Sequence, residues 1–351
     1  MIIYVLDTNL RKVGALDEYA SIIWTNRYYS AGDFELYISV TDRNLDILRE
    51  GYYLVRDELE TNAMIIERIQ IQTDVENGNY MTITGRCLKS LLYRRIIWNQ
   101  TSLAGSLETC IARLLDENAI APTDSSRRIP NLVNRNTLQT GVAISSQFTG
   151  DNLGETLDAL CESYSLGWDI ELIDGRFCFK LYRGTDRSYA QSANPYVIFS
   201  NQYENLLTTT YLLDMTEYRN VAKVAGEGEG SARRTVTVGQ ASGLNRYEEY
   251  VDARDISSNN GETDAATYNA QLIARGEDRL SELIYTENFE GEVEANYTYK
   301  LNRDYYLGDI VEVVNEYGIA ASTRILEIIE SEDSTGRYII PTFSNYIVKE
   351  G

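Results

Sequence analysis

The sequence predicts a mainly β protein with α/β insertions, in which a small α/β domain separates two β-barrel-like domains. Short runs of alternating apolar and polar residues fill both ends of the chain, whereas the middle shows the apolar periodicity of helices. A chain of 351 residues with 43% hydrophobic residues suits two or three domains. The predicted domains are residues 1–99, 100–200 and 201–351, with a helical insertion near 263–285 in the last.

Two stretches, one near each end of the chain, have the pattern of a three-stranded β-meander. The stretch from Gly308 to Ile340 contains three β-rich runs separated by turns that contain glycine. A similar series begins at Gly51, and its spacing to Arg68 differs by one residue from that between Gly308 and Arg324. We therefore predict two related copies of one module, unless any two meanders look alike at this level. Closure of each module into a barrel would remove its unpaired strand edges.

The first domain is predicted to be β-rich with one short helix. Residues Phe34–Val40 alternate between apolar and polar side chains, as a half-buried strand does. Thr41 is a suitable N-cap for a short helix, whose Leu45 and Leu48 are expected to face inward. The Asn-Gly dipeptide that ends at Gly78 predicts a tight hairpin, because a type I′ turn needs positive φ at both central residues.

The middle region predicts two helices and a hairpin. Ser106 precedes a run of leucine and isoleucine residues at helical spacing. Asn152 and Glu155 have the spacing of a capping box at the start of a second helix. The hairpin is predicted over residues 168–182, with its turn at the Asp-Gly pair that ends at Gly175.

The last domain returns to β structure. A helix is predicted from Asp264 to Ile284, with Thr263 as its N-cap. The strands predicted on either side of this helix are residues 208–213, 221–225, 235–238, 247–251, 290–299 and 309–340.

The composition excludes several classes of function. The chain has no histidine, the usual general base and the commonest metal ligand, and its net charge of −21 argues against a nucleic-acid-binding face. No apolar run is long enough to span a membrane, and the N-terminus does not resemble a signal peptide. The four cysteines are predicted to be reduced core residues at Cys87, Cys110, Cys161 and Cys178.

Tyrosine is unusually common, with 27 residues against 7 phenylalanines. Tyrosine is enriched at protein interfaces because it combines a large apolar ring with a polar hydroxyl. It also has a high propensity for half-exposed strands, and the sequence does not separate the two explanations.

Four motifs were considered as functional sites, and each has a simpler structural explanation. The glycine-rich stretch Gly226–Gly230 lacks the Lys-Ser/Thr of a phosphate-binding loop, so we interpret it as a connection between strands. Residues Asp74–Asn79 resemble part of a calcium loop but are explained by a hairpin. The carboxylate pairs are interpreted as solvated side chains: Glu248 with Glu249, and Asp252 with Asp255. We therefore predict no catalytic, cofactor-binding or metal-binding residue.

Several motifs in one order resemble a known family over almost the whole chain. The longest is residues 205–256, which include Tyr-Arg-Asn-Val-Ala-Lys-Val-Ala-Gly-Glu-Gly-Glu-Gly. The others are Gly32-Asp-Phe-Glu-Leu, Ala63-Met-Ile-Ile-Glu, Gly85-Arg-Cys-Leu-Lys-Ser-Leu-Leu-Tyr-Arg-Arg-Ile-Ile and Leu307-Gly-Asp-Ile-Val. Together they resemble the siphovirus ReqiPepy gp-thirty-seven-like phage tail proteins.

The resemblance implies a structural hub protein of a phage or prophage tail tip, or baseplate. In that architecture a homotrimer with two barrel-like domains per chain forms a pseudo-sixfold ring, which joins a sixfold tail tube to threefold tip components. The expected partners are the tail tube, the distal tail protein and other tip or baseplate proteins. DNA would pass through the lumen without specific binding. The expected location is the virion tail tip, after assembly in the host bacterial cytoplasm.

The resemblance also bears on catalysis and on the surface of the second meander. Many relatives carry an added C-terminal hydrolase or fibre-binding region, which this sequence is expected to lack because it ends at Gly351. We therefore expect no enzymatic activity. The alternative function is a receptor- or carbohydrate-binding tail module that uses exposed tyrosines. The Glu and Arg residues of Gly308–Ile340 are expected on outer strand faces, as candidate subunit contacts.

Overall fold

The structure, a computed structural model, separates into two compact units. It describes residues 1–74, 78–258, 264–293, 298–318 and 320–345. Unit 1 comprises Met1–Thr210 together with Phe289–Gly351, and unit 2 comprises Tyr211–Asn288. The three domains predicted from the sequence stay a prediction. None of the helices in the described ranges is long and apolar enough to cross a membrane.

The first part of unit 1 is mostly β structure. Its elements are β1 (Ile3–Leu6), β2 (Lys12–Leu16), β3 (Ser21–Arg27), β4 (Asp33–Ser39), α1 (Asp42–Ile47), β5 (Tyr53–Arg56), β6 (Leu59–Asp74) and β7 (Gly78–Cys87). A 3-10 helix then runs over Leu88–Arg94. Alternation of apolar residues explains the strands: in β4, Phe34, Leu36 and Ile38 are buried while the residues between them are more exposed.

The middle part of unit 1 combines helices with short strands. Its elements are β8 (Thr101–Ser106), α2 (Leu107–Leu115), β9 (Leu132–Asn134), β10 (Ala143–Phe148), α3 (Leu153–Ser163), β11 (Gly167–Ile173), β12 (Arg176–Tyr182) and β13 (Ile198–Ser200). The predicted hairpin is confirmed as β11 and β12, since Asp174 and Gly175 both have positive φ in the turn. The Asn152 side chain accepts bonds from the amides of Gly154 and Glu155, which confirms the predicted cap of α3.

The next elements lie in unit 2 or cross its boundaries. They are β14 (Leu206–Asp214), β15 (Val221–Ala225), β16 (Thr235–Val238), β17 (Glu248–Asp252), α4 (Ala265–Glu282) and β18 (Thr286–Val293). Unit 2 is a three-stranded sheet, in the order β16–β15–β17, and α4 packs Tyr268 and Leu272 against it. The last strands, back in unit 1, are β19 (Ile310–Val314), β20 (Ala320–Asp333) and β21 (Gly336–Asn345).

One large sheet joins the two ends of the chain. Its main path follows the order β14–β18–β21–β20–β3–β4–β7–β6–β5–β1–β2, and β19 pairs with both β20 and β13. We call β5–β7 the first meander and β19–β21 the second meander. The path is open at β14 and β2, so the strands in the described ranges form no closed barrel. The mainly β prediction is confirmed, and the barrel-like closure is not.

The described residues of unit 1 include two hydrophobic cores in its first two thirds. One is built from β1 to β7 and includes Trp24, Phe34 and Met64. The other lies mostly between residues 88 and 181 and includes Trp168. All four cysteines are free and buried, as the sequence predicts.

Three local predictions need correction or limits. Thr41 caps α1 as predicted, and Leu48 is buried, but Leu45 is exposed because the short helix turns Asn44 inward instead. Asp264 caps α4, since its side chain accepts from the amides of Ala266 and Thr267. Residue 263 (the predicted cap), residue 77 of the predicted Asn-Gly turn and residues 294–297 of the predicted strand 290–299 lie outside the described residues.

Candidate functional site

The two meanders are connected through the pairing of β3 with β20, which we call the junction. The strands are antiparallel, and the register runs from Arg27 opposite Glu327 to Ser21 opposite Asp333. Beyond the strand, the Tyr28 amide donates to the Leu326 carbonyl at 2.8 Å. The junction therefore joins segments about 300 residues apart by a continuous backbone ladder.

A buried ion network lies at the junction. The Arg56 guanidinium donates to Glu330 Oε1 at 2.6 Å, and both side chains are at most 3% exposed. Arg337 donates to the other oxygen of Glu330 at 2.7 Å and to Glu58 at 2.7 Å. The hydrogen bond that Arg337 donates to Glu58, opposed by burial, raises the pKa of Arg337. Each buried charge thus has a partner of opposite sign, which is the condition under which buried charges are tolerated.

A buried lysine fixes the turn that follows β3. Lys89 Nζ donates to the carbonyls of Arg27 (2.8 Å), Tyr28 (3.3 Å) and Ser30 (3.0 Å). Burial lowers the pKa of Lys89, and the carboxylate of Asp169 opposes that shift. Because one ammonium group binds three backbone carbonyls, Lys89 acts as a structural cap for this turn.

Close backbone packing also holds the junction. Gly308 has a φ of 92°, and a Cβ there would lie 2.2 Å from the ring of buried Tyr28. Arg324 donates to the Gly308 carbonyl at 2.6 Å. A Cβ on Gly184 would lie 1.7 Å from the same carbonyl. Glycine is therefore required at two positions, because three chain segments meet there at backbone distance.

A cavity of about 460 Å³ adjoins the junction. Its polar lining includes Lys89, Asp169, Arg183, Asp309 and Glu330. Burial raises the pKa of Asp169. The described residues contain no group of three or more carboxylate or cysteine side chains placed to hold a metal ion. The lining includes Glu330 of the buried ion pair and the structural cap Lys89, so we assign this space a structural role.

The first meander contains a distinctive hydrogen-bond frame. The Gly51 amide donates to the Ile66 carbonyl at 2.8 Å, and the Ile66 amide donates to the Tyr52 carbonyl at 2.9 Å. Immediately after Ile66 the ladder between β6 and β7 slips by one residue, which makes Glu67 a β-bulge. Gly51 has a φ of 78°, a conformation that favours glycine.

The second meander contains the same frame. The Gly308 amide donates to the Ile325 carbonyl at 2.9 Å, and the Ile325 amide donates to the Asp309 carbonyl at 2.9 Å. The ladder between β20 and β21 slips immediately after Ile325, with Leu326 as the bulge. The two meanders thus share a positive-φ glycine, a reciprocal pair of hydrogen bonds and a bulge in the same place.

These shared bonds correct the register predicted from the sequence. They align Ile66 with Ile325, and therefore Arg68 with Glu327. The predicted match of Arg68 with Arg324 is wrong, because the hairpin before the bulge is two residues longer in the second meander.

Two charged residues of the second meander are buried, and so are not on an outer face as expected. Arg324 and Glu330 are 3% and 2% exposed, respectively. Arg324 lies in the part of β20 that pairs with β19, whereas Glu330 lies in the part that pairs with β3. Both side chains bind groups within the chain. The sequence analysis also missed Lys89 as a junction residue. The signal available was a lone lysine within the apolar run from Cys87 to Leu92.

The carboxylate pairs considered from the sequence all lie in unit 2, in ion pairs. Glu248 pairs with Arg246, whereas its neighbour Glu249 pairs with Arg279. The other pair is also separated, since Asp252 bonds Arg254 and Arg233 while Asp255 bonds Arg275.

The glycine-rich stretch Gly226–Gly230 is held within unit 2. The amide of Glu227 donates to the Tyr268 hydroxyl at 2.8 Å. The Glu227 carboxylate accepts a bond from the Ser258 amide at 2.9 Å. These contacts agree with the interpretation of this stretch as a connection.

Glu67, the bulge residue of the first meander, has a carboxylate whose contribution to stability can be tested by changing the pH. Glu67 accepts from Arg86 at 2.8 and 3.0 Å and from Arg94 at 3.1 Å. Burial raises the pKa of Glu67, but the hydrogen bonds and charges of Arg86 and Arg94 together outweigh it and hold the pKa below its ordinary value of 4.5. This stabilisation is present above pH 4.5 and is lost as pH falls through the folded-state pKa.

We expect Glu67→Gln to lower the free energy of unfolding by about 1 kcal/mol at pH 7, because solvent screens this partly exposed group. At pH 3 the difference between variant and wild type should be smaller. Urea titrations of both proteins at the two pH values measure it. An equal difference at both values would contradict the ionic origin of the effect.

The comparisons with known proteins agree with this fold. A tail protein from Neisseria meningitidis MC58 is 13% identical, with a TM-score of 0.61, and the match covers 98% of this chain and 96% of that one. A 43 kDa tail protein of prophage MuSo2 from Shewanella oneidensis is 14% identical, with a TM-score of 0.59 and 98% coverage of both chains. Prophage tail protein gp18 from Listeria monocytogenes EGD-e is 13% identical, with a TM-score of 0.57, covering 100% and 95%.

At these identities the likeness shows a shared fold. A search of curated proteins gives no significant match. The family model described as Siphovirus ReqiPepy6 Gp37-like protein matches residues 2–344, nearly the whole chain. The family expected from the sequence motifs is therefore confirmed, and the chain belongs to the Siphovirus ReqiPepy6 Gp37-like family of phage tail proteins.

Proposed function

We propose that the chain is a structural hub protein of a phage or prophage tail tip, or baseplate. Three copies form a ring with pseudo-sixfold symmetry, which joins the sixfold tail tube to threefold tip components. The observation that carries this proposal is the common hydrogen-bond frame of the two meanders. If each meander marks one copy of a module, one chain supplies two modules and a trimer supplies six.

The duplication is itself part of the proposal, and the strand order supports it. In the main sheet, β3 is followed by β4, β7 and β6. At the other end, β14 is followed by β18, β21 and β20 in the same order. Along the chain, β15, β16, β17 and α4 come between β14 and β18, whereas only a short segment separates β3 from β4. Two unrelated meanders are not expected to share the order of neighbouring strands, the position of the bulge and the positive-φ glycine at the start.

The charge of the chain suits a passage for DNA. A net charge of −21 gives a surface that repels phosphate, so DNA passes without being held. We expect the residues facing the lumen to be acidic or polar. A ring whose channel is lined by lysine and arginine would contradict this part of the proposal.

The proposal includes partners and a location. The tail tube, the distal tail protein and other tip or baseplate proteins bind the ring, which assembles in the host bacterial cytoplasm and resides at the virion tail tip. The role is structural and not enzymatic.

A cluster of exposed tyrosines supports the alternative function, a receptor- or carbohydrate-binding tail module. Tyr189 and Tyr196 lie edge to face with centroids 5.3 Å apart, and both rings are exposed. Exposed aromatic rings are suitable platforms for sugar stacking. Binding to a glycan array that Tyr189→Ala abolishes would favour this function over a purely structural hub.

Electron microscopy of intact tails tests the main proposal. Particles assembled from the source phage or prophage should show threefold density for this chain at the tail tip, around a central pore. The purified chain alone is a weaker test, because a ring can require the tail as a template. A tail in which this chain is absent, or occurs as single copies away from the axis, would refute the proposal.

A further inference from the structure

We propose that neighbouring chains of the ring pair through two strand edges, β14 of one chain and the second half of β6 of the next. This inference rests on the proposed trimer and names its contact. The two strands would form an antiparallel ladder equivalent to the junction between β3 and β20. Each chain would then contain one such contact internally and make two with its neighbours.

Strand β20 has partners along both halves of one side. Residues 320–324 pair with β19, and residues 327–333, beyond the bulge, pair with β3. Strand β21 occupies the opposite side. The second half of β20 is therefore an interior strand because β3 covers it.

Strand β6 has the same arrangement with one partner missing. Residues 59–65 pair with β5, and β7 occupies the opposite side. Within the described ranges, residues 67–74 have no strand partner on the β5 side. This half of β6 is therefore a free edge at the position that β3 covers in the second meander.

Burial at equivalent positions shows the difference. The frame that aligns Ile66 with Ile325 also aligns Ile71 with Glu330. Glu330 is 2% exposed under β3, whereas Ile71 is 52% exposed. An isoleucine is thus left in solvent at a place where the other meander buries a charged group.

The chain contains a strand that matches β3 and could pair with the free half of β6. Strand β14 occupies the place of β3 in the repeated strand order, but it lies at the end of the main sheet with β18 as its neighbour. Its side chains are mostly exposed, and Leu207 and Leu213 are 49% and 51% exposed. The free edge of β14 is equivalent to the edge of β3 that pairs with β20.

The composition of both edges favours pairing. Between charged residues at 67, 68 and 74, the free half of β6 has an uncharged run over 69–73, Ile-Gln-Ile-Gln-Thr, and residues 206–213 of β14 contain no charged residue. Uncharged, β-prone edge strands readily pair with another chain unless something covers them. Strand β2, the other end of the sheet, instead contains Lys12, a residue type that protects edges.

The geometry of a ring requires this kind of contact. Pairing of β14 with β6 is head to tail, since each chain offers one edge to each neighbour. Such contacts form a closed ring when the rotation per module divides a full turn. Because the junction relates the two modules within a chain, a repeated junction between chains continues the same rotation.

Cysteine cross-linking in assembled tails tests the inference. Ile71→Cys would be combined, on separate chains, with single cysteines placed in turn along β14 from Leu206 to Asp214. The native cysteines are buried, so their background reaction is low. We expect interchain disulfides with Ile71→Cys at one or two neighbouring β14 positions, because only close Cβ atoms can be bridged. Val13→Cys in β2 is the matched control and should give none.

A second variant measures the contribution of the contact. Ile71→Lys should reduce incorporation into tails at least tenfold, whereas Val13→Lys, at a similarly exposed strand residue, should not. Circular dichroism of each purified variant verifies folding. A threefold ring without any cross-link along β14, or with normal incorporation of Ile71→Lys, would overturn the edge assignment. Tails that contain no threefold ring would instead refute the proposed function.

Discussion

Glu330→Ala is expected to lower the free energy of unfolding of unit 1 by about 3–5 kcal/mol, since it leaves buried Arg56 without its partner. The guanidinium of Arg56 is 4.9 Å from the ring of Trp24, a contact that does not replace a carboxylate. Arg337 would lose one of its two carboxylates and retain Glu58. Chemical denaturation at pH 7, followed by circular dichroism, measures the change.

A matched control separates burial from charge removal. Asp46→Asn removes an acidic partner of Arg49 at an exposed helix position, and should change stability by less than about 0.5 kcal/mol. A double variant, Arg56→Met with Glu330→Leu, should recover most of the loss because neither charge remains buried. If Glu330→Ala costs no more than Asp46→Asn, the network does not stabilise the junction.

Gly308→Ala is expected to destabilise unit 1 by about 3 kcal/mol or more. Positive φ costs a residue with a Cβ on the order of 1 kcal/mol, and the clash with the Tyr28 ring adds the cost of overpacking. Gly308 opens the second meander, and Gly51, at the same place in the first meander, is the matched control. Gly51 has a similar φ, but its added Cβ would be 3.9 Å from the nearest atom, Thr8 Cγ2.

Gly51→Ala should therefore cost only about 1 kcal/mol. The difference between the two variants, measured by thermal and urea unfolding, reports the close packing at the junction. Equal effects would mean that backbone conformation alone explains both glycines. That result would remove the steric argument for the contact of Gly308 with Tyr28.

Local signals explain why many elements could be predicted. The caps at Thr41 and Asn152 and the turn at Asp174 and Gly175 involve hydrogen bonds or torsions within a few residues. Such features depend on side chains that stand next to each other in the sequence. The strands 221–225 and 235–238 were likewise predicted with the bounds that the structure has.

The junction could not be predicted, because its partners are about 300 residues apart. Alternation along β3 or β20 specifies which side chains face inward, but not which strand lies alongside. The Glu and Arg residues of β20 looked like an outer face for this reason. Glu330 lies where β20 pairs with β3, a neighbour that no pattern within 308–340 contains.

The bulges show how a small local feature was missed. Glu67 and Leu326 have no side-chain property in common, so the sequence offers no common residue there. Their equivalence is carried by backbone hydrogen bonds from Gly51 and Gly308. Alignment by residue type therefore paired Arg68 with Arg324, whereas alignment by backbone geometry does not.

The long sequence separation across the junction also has a consequence for biosynthesis. Chains emerge from the ribosome N-terminus first, and β3 is complete long before β20 exists. During that interval β3 is an uncovered edge, and pairing between distant segments is the slow part of folding. A nascent chain thus carries an unprotected strand until its last strands arrive, and high expression favours contact between unfinished chains. The junction therefore forms only after β20 has been synthesised.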